Sequence, residues 1–118
     1  MIDIKTELNP MRLNIARREP VELMVEIENN SNKDQMISLT IQMGDQLAFD
    51  KGGRVGVQSK KITVFKAGER LRDYYNIFPR PNASKGQEII LITVDEHFNG
   101  SFQYVQSKKT KELVLRID

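Results

Sequence analysis

Strict alternation of apolar and polar residues is the feature that most constrains how this chain folds. Its clearest stretch is residues 21–29, where every second residue from Val21 to Ile27 is apolar. A period of two places the apolar side chains on one face of a β-strand and the polar ones on the other. Pro20 precedes the stretch, and the polar run 29–34 follows it with residues that favour turns. The pattern predicts a half-buried strand.

The same alternation returns along the chain, and turn residues separate each stretch from the next. Further strands are predicted at 37–43, 60–65, 71–78, 88–98 and 113–117, together with a first strand whose halves, 2–8 and 11–15, are separated at Asn9 and Pro10. Strands 21–29 and 37–43 are either antiparallel neighbours or members of different sheets. Residues 45–51 can form one helical turn, but no amphipathic stretch is long enough for three turns.

These seven or eight short strands predict an all-β fold, an immunoglobulin-like antiparallel β-sandwich that spans residues 1–118 as a single domain. OB-fold and SH3-like barrels need fewer strands, and a parallel sheet needs crossover helices that the sequence lacks. The predicted core consists of Leu23, Val25, Ile27, Leu39, Ile41, Ile62, Val64, Ile90, Ile92, Val94 and Leu115. Asn99 and Gly100 predict a type I′ hairpin turn between 88–98 and 101–105.

Composition excludes several classes of metal and cofactor site. The 118 residues include no cysteine and one histidine, which excludes disulfide scaffolds, cysteine-based zinc sites and multi-histidine metal centres. Residues 29–34 offer oxygen ligands for calcium, but Lys33 lies among them and no EF-hand spacing occurs. The glycine-rich run 52–56 lacks the Lys-Ser/Thr ending of a phosphate-binding loop. We therefore expect no metal and no cofactor.

The single histidine, His97, lies between Asp95 and Ser101 in the sequence, an order that raises the question of a hydrolytic triad. Residues two apart on a strand share a face, but they do not place a carboxylate against one ring nitrogen and a hydroxyl against the other. The segment also offers no oxyanion donors. We therefore expect a protein that is not an enzyme.

The sequence contains no run of about 20 apolar residues, the length that spans a membrane as a helix. Its first ten residues carry Asp3, Lys5 and Glu7 where a signal peptide would need apolar residues. We expect a soluble cytoplasmic protein without membrane insertion, or an extracellular one if a leader has been removed.

Charge is distributed unevenly along the chain. Residues 1–50 hold five basic and nine acidic residues, whereas residues 51–118 hold thirteen basic and seven acidic ones. The basic residues of segment 51–72 are Lys51, Arg54, Lys60, Lys61, Lys66, Arg70 and Arg72. With Phe65, Tyr74 and Tyr75 nearby for base stacking, they form a candidate polyanion patch for single-stranded nucleic acid. Basic residues also protect an edge strand from aggregation, and this segment is the expected edge.

The polar face of residues 21–29 is acidic. Glu22, Glu26 and Glu28 project on the side opposite to the apolar residues. We expect these glutamates to form cross-strand ion pairs with Lys61 or Arg72 on the same sheet.

Residues 89–94 are apolar on both faces, whereas a sandwich strand should present one face to water. With alternate residues in the core, Ile89 and Leu91 point outward, and Tyr74 or Tyr104 on neighbouring strands add to an exposed apolar patch. A partner protein, a second copy of the chain, or segment 98–112 folding back would cover the patch. We expect a protein interface there, and a homodimer in preference to a different partner, because one self-complementary patch closes under a twofold axis.

Three segments of the sequence share a further pattern. They are Pro20 with the strand ending Ile27-Glu28-Asn29-Asn30-Ser31, then Ile62-Thr63-Val64-Phe65-Lys66-Ala67-Gly68-Glu69, and then Gly86 leading into Ile90, Ile92 and Val94-Asp95. Over residues 10–118 this succession resembles the bacterial and archaeal immunoglobulin-like adhesion modules called CARDB domains, in which a V-x-V-x-V-x-N-x-G strand precedes an L-x-x-G-E turn and a G-x-Y-x-I-x-V-x-V-D strand. Glu88 replaces the family's aromatic residue, and Asn30-Ser31 replace its glycine.

The resemblance implies binding or spacing rather than catalysis, and it names no ligand. Taken with the alternation, it leads us to expect a non-catalytic protein-interaction or structural module that acts through a sheet face or loop tips. The alternative is a single-stranded nucleic-acid binder that uses the basic segment 51–72.

Overall fold

The computed structural model describes residues 2–98 and 100–118, and this part of the chain contains nine β-strands and no helix. The strands are β1 (Ile2–Asn9), β2 (Arg12–Leu13), β3 (Val21–Asn29), β4 (Gln35–Met43), β5 (Leu47–Ala48), β6 (Val57–Phe65), β7 (Arg70–Pro79), β8 (Gly86–Phe98) and β9 (Ser101–Ile117). The described residues therefore contain no helix that could cross a membrane.

The strands form two sheets that pack face to face. One sheet has four strands in the order β1-β3-β7-β5, and the other has five in the order β2-β9-β8-β4-β6. All neighbouring strands are antiparallel except β2 and β9, which are parallel. Alternate residues of β3, β4 and β8 are buried between the sheets. The predicted immunoglobulin-like antiparallel β-sandwich is therefore confirmed.

The N-terminal segment does not form one interrupted strand, as the sequence suggested. β1 pairs with β3 in the four-stranded sheet, whereas β2 pairs with the end of β9 in the five-stranded sheet. The chain therefore crosses from one sheet to the other at Asn9 and Pro10, which are joined by a cis peptide bond. β3 and β4 also lie in different sheets, which selects one of the two arrangements that the alternation allowed.

The helical turn predicted at 45–51 is wrong. Leu47 and Ala48 instead form β5, which pairs with Phe78 and Pro79 at the end of β7. Leu47 is completely buried in the core, so tertiary packing determines the conformation of this segment. A strand of two residues is too short for an alternation of apolar and polar residues to be recognised in the sequence.

Nine of the eleven predicted core residues are buried, and the two exceptions both lie in β6. Ile62 is partly buried against the core, but Val64 is 55% exposed and Phe65 is completely buried in its place. The cause is a β-bulge: Ile62 pairs with Ile37 and Phe65 pairs with Gln35, so β6 has one more residue than β4 between these pairs. A bulge shifts the alternation by one residue and reverses the sides that later residues face.

β9 begins at Ser101, well before the strand predicted at 113–117, and it pairs with β8 from Gly86 to Phe98. The β8–β9 pair also has a register shift, since Glu96 pairs with Ser107 whereas the next residue, His97, pairs with Val105. Asn99 lies outside the described residues, so the type I′ turn predicted there stays a prediction. Residues 105–112 of segment 98–112 run beside β8 in the sheet, and Ile89 on the outer face of β8 is 48% exposed.

β6 pairs with β4 alone in the described part of the chain, which confirms the predicted edge strand. Its Lys60 lies opposite the buried Leu39 and therefore faces the other sheet, where its Nζ is 3.3 Å from the Asp73 Oδ2 of β7. A charged side chain that points inward at an edge opposes the addition of another strand.

A candidate interaction face

The outer faces of the two sheets differ in charge. On the four-stranded sheet, β3 and β7 place glutamates opposite arginines: Arg72 Nη2 is 2.8 Å from Glu26 Oε1, and Arg70 Nε is 3.0 Å from Glu28 Oε2. The hydrogen bond from Arg72 lowers the pKa of the Glu26 carboxyl below its usual value. We call this surface, which also carries Lys5 of β1, the charged face. The predicted pairing with Arg72 is confirmed, whereas the other predicted partner, Lys61, lies in the five-stranded sheet.

The outer face of the five-stranded sheet is almost uncharged over three successive rows of residues. These rows run across β9, β8, β4 and β6 in register, and their members are Val114 and Ile89, then Glu112, Leu91, Gln42 and Val57, then Thr110, Thr93, Thr40 and Ser59. We call this surface the neutral face. Glu112, at its margin on β9, is the one charged residue in the three rows.

Large apolar side chains of the neutral face are open to solvent. Ile89 is 48% exposed, Val114 is 57% exposed and Val57 is 51% exposed, while Leu91 between them is partly buried. Cross-strand neighbours such as Ile89 and Val114 contact each other on one side of a sheet, so they form a patch rather than isolated residues. Exposed patches of this kind mark binding surfaces in soluble proteins.

The four residues expected to form one interface lie in three places. Ile89 and Leu91 belong to the neutral face. Tyr74 lies opposite Met24 on the charged face, on the other side of the sandwich. Tyr104 lies near the start of β9, where its ring is 5.3 Å from the ring of Phe98. The sequence reasoning did not include Val114, although its position between the inward Leu113 and Leu115 already implied that it points outward.

Beyond the three rows, the end of the β8–β9 hairpin packs onto the same sheet around His97. The His97 ring is buried, with Nδ1 3.0 Å from the Tyr104 carbonyl oxygen and Nε2 2.9 Å from Ser38 Oγ. A carbonyl can only accept, so Nδ1 carries the proton, and in the neutral ring Nε2 accepts from the Ser38 hydroxyl. The Phe102 ring contacts His97 edge to face at 5.1 Å, and Lys61 Nζ lies 5.2 Å from the centre of the Phe102 ring.

These contacts assign His97 a role in holding the hairpin. Both ring nitrogens are engaged by groups other than Asp95 and Ser101, the partners of the triad that the sequence order raised. Asp95 instead lies 3.9 Å from Lys108 Nζ across the β8–β9 pair.

The basic residues of segment 51–72 are distributed over several surfaces. Arg70 and Arg72 lie on the charged face next to glutamates, and Lys60 faces Asp73 between the sheets. Lys61 contacts Phe102, Lys66 lies in the turn between β6 and β7, and Lys51 and Arg54 lie in the loop before β6. Three of the seven are thus ion-paired within the chain. Of the aromatic residues proposed to stack on bases, Phe65 is in the core.

The loop at 29–34 satisfies its own polar groups. Asn29 is completely buried, its Nδ2 donates to the carbonyls of Lys33 and Phe65, and its Oδ1 accepts from the backbone and hydroxyl of Ser31. No group of three His, Cys, Asp or Glu side chains suited to holding a metal ion occurs within the described ranges.

No family model and no curated protein matches this sequence. Several solved structures share its fold at a sequence identity of 12% or less. An Escherichia coli alpha-2-macroglobulin fragment spanning domain MG7 to the C-terminus matches with a TM-score of 0.73 and 12% identity, over 100% of this chain and 16% of the other. A CARDB domain from Pyrococcus furiosus, in complex with di-metal ions, matches with a TM-score of 0.67 and 11% identity, over 99% of this chain and 92% of the other.

BcpA, the major pilin subunit of Bacillus cereus, matches with a TM-score of 0.67 and 8% identity, over 99% of this chain and 40% of that chain. Chains with this fold also occur in enzymes, so the fold by itself assigns no activity. The match to a CARDB domain over nearly its full length agrees with the resemblance in the sequence. The fold of this chain is that of an immunoglobulin-like β-sandwich such as the CARDB domain.

Proposed function

We propose that this chain is a non-catalytic protein-interaction module that binds through the neutral face. The observation that carries the proposal is the contrast between the two outer faces. The charged face pairs its glutamates with its own arginines, whereas the neutral face exposes Ile89, Val114 and Val57 with few charges around them. The occurrence of the same fold within a pilin subunit and within alpha-2-macroglobulin supports an interaction role.

The partner that we propose is a second copy of the chain. The three rows measure roughly 20 Å along the strands and 19 Å across four strands, from the usual strand rise and spacing. Two such faces would bury roughly 760 Å² in total, which is below the size of about 1,000 Å² that a stable, specific interface reaches and fits a weak or transient one. Sheets pack face to face readily, and a twofold axis through the middle row, which contains Leu91, would bury the patch of both copies. We therefore expect a weak dimer, formed at micromolar concentration or above.

The test is the molar mass in solution over a range of protein concentrations. Light scattering and sedimentation should show a mass that rises from 13.6 kDa towards about twice that value. Ile89→Lys and Leu91→Lys should each keep the protein monomeric, because a charge would be buried within the interface. Tyr74→Lys, on the charged face, is the matched control and should leave the dimer intact.

Two results would refute the proposal. One is a wild-type protein that stays monomeric up to millimolar concentration. The other is a dimer that Tyr74→Lys weakens as much as Ile89→Lys does. Circular dichroism of each variant should remain that of the wild type, so that a loss of dimer is separated from unfolding.

A further inference from the structure

A basic cleft lies at the end of the sandwich where β7 ends, and none of the residues that line it belongs to the neutral face. It is lined by Arg17, Arg18, Lys51, Phe78 and Pro79, and its volume is about 320 Å³. The three cations come from two separate loops, one between β2 and β3 and the other after β5. The topology of the sandwich therefore brings together residues that are far apart in the sequence.

The loop that carries the two arginines has a defined conformation. Asn14 Oδ1 accepts from the backbone amides of Ala16 at 2.9 Å and Arg17 at 3.2 Å, and the Asn14 carbonyl accepts from Arg18 N at 3.1 Å. Arg18 has a φ of 54°, in the left-handed region that residues other than glycine rarely adopt. Its Nη2 donates to the Pro79 carbonyl at 3.2 Å, which holds the guanidinium at the cleft and leaves its other N–H donors for a ligand.

The loop that carries Lys51 is braced by Arg80. The Arg80 Nε donates to the Leu47 carbonyl at 2.9 Å, and the Arg80 Nη1 donates to the Gly53 carbonyl at 2.8 Å. The acid next to Lys51 is Asp50, and its Oδ1 accepts from the backbone amides of residues 54 and 55. One oxygen of the Asp50 carboxylate is thus hydrogen-bonded within its own loop.

Among the described residues, the three cations of this cleft lack the ion pairs that many other basic residues of the protein form. Elsewhere ion pairs form between Arg72 and Glu26, Arg70 and Glu28, Lys60 and Asp73, Lys109 and Asp3, Lys108 and Asp95, and Arg116 and Asp118. Within the described residues, no carboxylate lies within 4.0 Å of the charged groups of Arg17, Arg18 or Lys51. Three like charges that converge without a counter-charge create a positive potential that an anion would relieve.

We propose that the basic cleft binds a small organic phosphate, with its phosphate group between the arginines and Lys51 and its organic part against Phe78. Guanidinium groups bind phosphate oxygens through paired, charge-assisted hydrogen bonds, and an ammonium group adds a point charge. The cleft volume falls within the range of small-molecule sites, and Phe78 and Pro79 supply an apolar surface beside the cations. This binding does not involve the neutral face, so it is independent of the proposed dimer.

The experiment is an NMR titration of amide shifts with inorganic phosphate, phenyl phosphate and benzoate as separate probes. Phenyl phosphate should bind more tightly than inorganic phosphate because of its contact with Phe78, and more tightly than the singly charged benzoate. Saturable shifts should centre on residues 16–18 and 51–53. Arg18→Asn should weaken phenyl phosphate binding about tenfold or more, and asparagine tolerates the positive φ at this position.

Lys66→Gln is the matched control, since it removes one positive charge at the opposite end of the sandwich, in the turn that leads into Arg70. It should change the affinity less than about twofold. Shifts that fail to saturate, that spread over lysines throughout the chain, or that Arg18→Asn leaves unchanged would overturn the proposal. A single-stranded oligonucleotide that binds more tightly than phenyl phosphate and perturbs Lys60 and Lys61 as well would overturn it in favour of nucleic acid.

Discussion

Replacing Phe65 by alanine should destabilise the protein more than any change at neighbouring positions of β6. Phe65 is completely buried, and it is the one residue of its strand that is. Burial of a phenylalanine side chain contributes about 2–3 kcal/mol, and the cavity left after truncation raises the loss to about 3–4 kcal/mol. A domain of this length has a free energy of unfolding of about 6–15 kcal/mol, so this loss is a large fraction of the total.

The assay is urea unfolding followed by circular dichroism, with Val64→Ala as the matched control. Val64 precedes Phe65 and loses a similar kind of apolar group, but it is 55% exposed, so its truncation should change the free energy of unfolding by about 0.5 kcal/mol or less. The difference between the losses of unfolding free energy in the two variants shows which of the two side chains faces the core, and it therefore tests the bulge. If Val64→Ala proved the more destabilising, the alternation through Ile62 and Val64 would be unbroken and the bulge would be wrong.

Two further predictions concern buried polar groups. Asn29→Asp should lower the free energy of unfolding, measured by urea titration at neutral pH, by about 2 kcal/mol or more. The reason is that a carboxylate cannot donate hydrogen bonds to the carbonyls of Phe65 and Lys33. An unchanged free energy of unfolding would contradict these hydrogen bonds. Burial, with a smaller contribution from Asp73, raises the pKa of Tyr75 from 10.0 to about 12. The neutral phenol therefore stabilises the fold fully below pH 10, and this contribution is lost as the pH rises towards 12. An absorbance titration at 295 nm should show a tyrosine step near pH 12 that Tyr75→Phe removes, and a step that persists in this variant would contradict the assignment.

Much of the fold could be predicted because burial on one side of a strand requires apolar residues at every second position, and this pattern is visible in the sequence of the strand itself. β3 and β4 alternate where they face the core, and the structure buries the residues that the alternation selected. The failures occur where geometry depends on a partner strand. The bulge in β6 is defined by its pairing with β4, and β5 exists because Leu47 packs into a core formed by distant segments. Neither feature changes the local pattern in a way that a sequence alone reveals.

The candidate sites divide in the same way. Ile89 and Leu91 could be predicted to point outward because β8 is apolar on both faces, which is a local property of one strand. Their actual neighbours, Val114 and Val57, depend on the register of β9 and on β4 lying between β8 and β6. Nothing in the sequence assigns β7 to the opposite sheet, so the sequence alone cannot separate Tyr74 from these residues.

The basic cleft shows the limit of counting charge along a sequence. A count favours segment 51–72, where seven basic residues lie close together, yet several of these have acidic partners in the folded chain. Arg17 and Arg18 add only two charges to an acidic half of the sequence, but the fold places them beside Lys51, and no carboxylate of the described residues forms an ion pair with the three. Whether a basic residue has an acidic partner therefore depends on which loops lie side by side at the ends of the sandwich. In this chain the order of the strands in the two sheets determines which loops are neighbours.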